Sequence, residues 1–99
     1  MAKMTKEEEL RERLSIEMDH LKAKMLELKA KGRKIGLEAR LELERNLSSL
    51  ETTREEILSR IGECAKAGEK ATAEMKKGLE RAAQELKKAV DDAAAYLKK

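Results

Sequence analysis

Residues 37–61, LEARLELERNLSSLETTREEILSRI, carry leucine and isoleucine at helical spacing among dense alternating charges. Leu43, Leu50 and Ile57 recur every seven residues and Leu47 and Ile61 fall between them, so one side of a helix becomes a stripe of branched apolar side chains. Such a stripe has to be covered. The rest of the chain reads either as its extension or as something folded against it.

Upstream, Thr5-Lys6-Glu7-Glu8 matches a capping box, and Glu7, Glu8 and Glu9 favour the positive end of a helix dipole. A helix is predicted to start there, with residues 1–4 expected to fray. The apolar seam then runs through Leu14, Met18, Leu21, Met25 and Leu28 in alternating steps of four and three, the 3.5-residue repeat of a left-handed coiled coil. From Gly32 it passes through Ile35, Ala39, Leu43 and Leu47 with three successive steps of four before the heptad resumes at Leu50. A continuous helix tolerates that irregularity as a stutter that locally unwinds the supercoil.

Two glycine pairs are the punctuation, Gly32 with Gly36 and Gly62 with Gly68. The first pair lacks Asn, Asp, Ser or Pro and has Ile35 in register. The second lies where bulky residues give way to alanine. The favoured reading is therefore all-α, a long coiled-coil helix over about 5–64, a break over about 62–69 and a shorter antiparallel-packing helix over about 70–98, in one domain of residues 1–99. The alternative, with both pairs as turns, is a three-helix bundle. Beyond Gly68 the stripe reads Ala71, Met75, Leu79, Ala82, Leu86, Ala89 or Val90, Ala93 and Leu97. Its small residues remove little area from water, so this helix needs the leucine-rich one to pack on.

Composition agrees with a helical reading. Charged residues make up 43%, proline, Phe and Trp are absent, and one Tyr is the sole aromatic; that bias belongs to long helices and coiled coils rather than to sheets. The 23 basic and 20 acidic residues leave +3. Counted by thirds the surplus is not concentrated anywhere, and no basic arm with stacking aromatics is present, so no nucleic-acid partner is expected. No long apolar run or secretory leader is read, and the expected location is cytoplasmic.

A search for chemistry finds none. His20, the single histidine, points sideways from the seam and has no second ligand at helical spacing. Asp91-Asp92 and Glu55-Glu56 diverge around a helix instead of converging on a site. No catalytic, cofactor-binding or metal-ligating set is read, and no enzyme or cofactor is expected. Cys64 falls on the apolar side three residues after Ile61; it reads as a small buried hydrophobe, or as an interchain thiol pair if two parallel chains place it opposite itself.

The runs GRKIGLEARLELERNLSSLETTREEILSRI and AEMKKGLERAAQELKKAVDDAAAYLKK, with the glycines between them, resemble a group of small bacterial coiled-coil proteins. Those have a long charged helix, a glycine-containing break and an Ala-rich amphipathic helix with an inner glycine, matched here by Gly78. They often carry a tryptophan after the break, where this chain has Cys64 and Ala65. The resemblance implies a helical fold and supplies no functional residue.

The expected role is that of a non-enzymatic scaffold or adaptor. Its oligomer seam, Leu14, Met18, Leu21, Met25, Leu28, Ile35, Leu43, Leu47, Leu50, Ile57 and Ile61, would be buried between copies of the chain, or against another helical protein. Arg54 on that seam would limit register. The alternative is a phasin-like protein whose Ala-rich helix, with flanking lysines and Tyr96, adsorbs reversibly to a membrane surface or another hydrophobic surface.

Overall fold

In the computed structural model, which describes residues 5–97, three helices pack side by side, each touching the other two. They are α1 (Lys6–Gly32), α2 (Leu37–Ala67) and α3 (Ala73–Leu97), with a short 3-10 turn (Gly68–Lys70) before α3. The expectations for residues 1–4 and for position 98 fall outside the described residues. The fold is all-α, in the three-helix arrangement. The helix read as continuous from 5 to 64 is interrupted at Gly32–Gly36, and the molecule measures 51 × 27 × 18 Å. A straight helix of that span would run to about 90 Å.

The interruption has a local physical cause. Successive N–H groups of Arg33, Lys34 and Ile35 donate to the carbonyls of Ala30, Lys31 and Gly32 at 3.2–3.3 Å, tightening the end of α1. Gly36 is extended, and its carbonyl accepts from Arg40 N–H at 2.9 Å as α2 begins. At Gly32 the missing Cβ leaves room for the Leu43 side chain to lie against the α1 backbone. This turn uses no positive-φ residue and no polar cap, the signals that would have marked it in the sequence. Doubling back buries α1 and α2 against each other at the cost of closing a very short loop.

The second glycine pair behaves differently at its two members. Gly62 lies inside α2, whereas Gly68 ends it with φ +54, a conformation that disfavours a side chain. Thr5 caps α1 as its motif predicts, its Oγ1 accepting from Glu8 N–H at 3.1 Å. Thr72 performs the same task for α3 by accepting from Met75 N–H at 3.1 Å.

Within each helix the buried residues keep the four-three alternation. They are Leu14, Met18, Leu21, Met25 and Leu28 on α1, Leu43, Leu47, Arg54, Ile57, Ile61 and Cys64 on α2, and Leu79, Ala83, Leu86, Val90 and Ala93 on α3. The α3 face thus runs through Ala83 in place of Ala82, and Met75, read on the stripe, is exposed. Three ion pairs tie α1 to α3: Glu7 with Lys76 (2.7 Å), Arg13 with Glu80 (3.2 Å) and Lys24 with Asp91 (2.5 Å). Partners advance together along both helices, so α1 and α3 run parallel and α2 antiparallel to them.

Candidate interaction surfaces

The seam from Leu14 to Ile61 is the bundle's own core. Leu14, Met18, Leu21, Met25, Leu28, Leu43, Leu47, Ile57 and Ile61 are buried within one chain, and Ile35 and Leu50 are partly buried against them. The expectation that this stripe exceeds what one chain can cover is corrected: folding at Gly32–Gly36 sets half the seam on the other half, and α3 covers what remains. The apolar face of α3, on which lipid adsorption was expected to depend, is likewise packed into the core.

Cys64 is 7% exposed and sits beside Leu10, Ala71 and Leu79. A bond between two such thiols would require the bundle to open. His20 is exposed on α1, and the described residues hold no cluster of His, Cys, Asp or Glu able to bind a metal ion. No described helix is long and apolar enough to cross a membrane.

Among the grooves the fold leaves open, one lies between α1 and α2. All the ion pairs between helices, among the described residues, cross the α1/α3 seam, so the α1/α2 seam carries no such bridge. A groove of about 530 Å³ runs along it, floored by Met25 and Leu47 and rimmed by Leu26, which is 59% exposed. Its α1 bank carries Lys22 and Lys29, and its α2 bank carries Glu44, Glu51 and Glu55. Cations and carboxylates are therefore segregated on opposite banks.

One of those carboxylates is fixed in place. Arg54, buried at a core position, turns its guanidinium back along α2 and donates from Nε and Nη2 to the two Glu51 oxygens, at 2.9 and 2.7 Å. These bonds, with the Arg54 charge, hold the Glu51 carboxyl below its ordinary value, and the Lys22 ammonium across the groove acts in the same direction. Glu51 is thus held at mid-groove with both its oxygens engaged by Arg54.

A second concentration of features lies at the end of the bundle where α1 turns into α2. Residues 29–41 hold Lys29, Lys31, Arg33, Lys34 and Arg40 against Glu38 alone. Leu37 and Leu41 stand exposed in the same stretch, and Tyr96 near the end of α3 lies beside Glu42 and Leu43 of α2. Counting charge by thirds divides this cluster between Lys31 and Gly32 and so conceals it. The segregated groove banks were not legible either, because Lys22 and Glu51 become neighbours only once the chain doubles back. Comparison of the chain with protein-family models, curated proteins and solved structures gives no match.

Proposed function

We propose that the protein is a non-enzymatic helical interaction module that associates with a second copy of itself through the α1/α2 groove. The observation that carries this reading is the charge segregation across an apolar floor. Gly32 stands level with Leu43, so stepping back turn by turn puts Lys29 near the level of Glu44 and Lys22 near that of Glu51. Two copies related by a two-fold axis parallel to the helices would bring each α1 against the partner's α2 at unchanged height. Each lysine bank then meets a glutamate bank, and Leu26 covers the small side chains of the partner's Ser48 region. The other face-to-face two-fold, perpendicular to the helices, would set lysine against lysine. Charge therefore selects one geometry.

The apolar area is modest, so the association is of the weak, salt-sensitive kind. Sedimentation equilibrium over a concentration series should show a monomer–dimer equilibrium that shifts to monomer with added salt. Lys22→Glu/Lys29→Glu and Glu44→Lys/Glu55→Lys should each be monomeric, and a mixture of the two should dimerise. Monomer at every concentration, or dimerisation indifferent to both charge reversals, would overturn the reading.

A further inference from the structure

From the end of the bundle formed by the α1–α2 turn, we infer a second binding surface, one that docks on an anionic phospholipid bilayer. Residues 29–41 carry five cations and one carboxylate, a net +4, while the whole chain carries +3. The remainder of the molecule is thus slightly acidic, and all of its positive surplus sits on this tip.

The cations are not all committed elsewhere. Lys31 pairs with Glu27 and Arg40 with Glu44, but Arg33 and Lys34 lie in the turn itself, exposed, and no ion pair among the described residues involves them. Gly32 and Gly36 bracket them, and both cations face solvent. Beside these cations Leu37 is 68% exposed and Leu41 43%, and Tyr96, 58% exposed, lies against Glu42 and Leu43 near the start of α2. Uncommitted cations next to solvent-facing aliphatic groups and an amphipathic ring match the two layers of a bilayer surface, phosphates outside and acyl chains beneath.

Nucleic acid would satisfy the cations and leave Leu37 and Leu41 in water, since a phosphate backbone offers aliphatic side chains nothing to bury against. This tip is distinct from the groove. Arg33, Lys34, Leu37 and Tyr96 do not line it, so the two surfaces can be tested separately.

The test is co-sedimentation of the full chain with vesicles of phosphatidylcholine alone and of phosphatidylcholine mixed with phosphatidylserine. The protein should pellet with the anionic vesicles only, and Arg33→Glu/Lys34→Glu should lower the partition by at least about tenfold. Leu37→Ser should lower it with the net charge unchanged. Lys66→Glu/Lys70→Glu, an equal charge change at the opposite end, should leave it nearly intact; far-UV circular dichroism checks that each variant is folded. Because Tyr96 is the only aromatic residue, its emission in the unmodified protein should be quenched by lipid labelled in the upper acyl chain. Failure to pellet with anionic vesicles, equal losses from the two double reversals, binding without quenching of Tyr96, or equal binding to a DNA duplex that ignores Leu37→Ser would each overturn the inference.

Discussion

Gly32, the last residue of α1, lies so close to Leu43 that a Cβ added to it would overlap the Leu43 side chain. Leu43 is itself a core residue, so it has little freedom to withdraw. Gly32→Ala would favour the helix by about 1 kcal/mol and force Leu43 off its rotamer at about 1–3 kcal/mol. The net expectation is a loss of stability, read as a fall in the midpoint of urea denaturation. An accompanying Leu43→Ala, which makes the room, should reduce the added penalty of the Gly32 substitution.

Gly62 and Gly68 should respond in opposite directions. Gly62 is an interior, exposed residue of α2 with nothing near its missing Cβ, so Gly62→Ala should stabilise by about 0.5–1 kcal/mol and raise the melting temperature by several degrees. At Gly68 the space is just as open, but φ is +54, and Gly68→Ala should destabilise by about 1–3 kcal/mol. Thermal unfolding followed by circular dichroism distinguishes the two.

These glycines also explain how far the sequence was legible. Helix content, the Thr5 cap, the α1 seam and the α2 heptad follow from spacing and cap chemistry, because both act over one or two turns. The turn at Gly32–Gly36 did not, since it is made by a steric fit between Gly32 and Leu43 that exists only after folding. The three steps of four through Ala39 and Leu43, read as a stutter, are the mark left by that turn: α1 and α2 have independent four-three registers, and a single helix drawn through both cannot match them. Inside the bundle the same leucines that suggested a surface between copies became core. The candidate surfaces are made of what was left over: the tip cations are contiguous at 29–41, while the charged banks of the groove become neighbours only through the hairpin.

Arg54 occupies a core position while its charge is spent on Glu51, which is a partly exposed neighbour on the same helix. Removing two ions from water for one ion pair is seldom a net gain, and a well-packed apolar replacement is commonly neutral or stabilising. Arg54→Leu should therefore leave the unfolding free energy unchanged or raised. Arg54→Ala, which discards the packed alkyl stem as well, should lower it by about 2–3 kcal/mol. Chemical denaturation of both variants checks the ordering, and a drop for leucine as large as that for alanine would mean that the Arg54–Glu51 bonds contribute net stability.

Acid should loosen the packing of α1 on α3 first. Hydrogen bonds from Lys76 and Lys24 hold the carboxyls of Glu7 and Asp91 below their ordinary values of 4.5 and 3.8, and Lys31 does the same for Glu27 within α1. A carboxyl whose folded pKa is depressed contributes fully above its unfolded value and loses that contribution as pH falls through the folded one. Stability should thus be level above about pH 5 and decline towards pH 3, with Lys24→Met/Lys76→Met flattening the slope. These pairs lie at the surface, exposed or half-buried, so salt should flatten it too. Denaturation midpoints across that range, at low and high salt, give the comparison.

Cys64 offers a probe of how the bundle opens. It is packed beside Leu10 of α1 and Ala71 and Leu79 on the α3 side of the Gly68 break, so a thiol reagent can reach it only when that end separates. If opening is global, modification should be slower than in denaturant by about a thousandfold or more, and its rate should follow the overall stability of the variants above. If instead the α2–α3 junction opens by itself, Gly68→Ala should accelerate modification far more than Gly32→Ala at equal loss of stability, because the two substitutions act at opposite ends of the molecule. The difference between the two rates reports whether the bundle unfolds from the end that holds the positive-φ glycine.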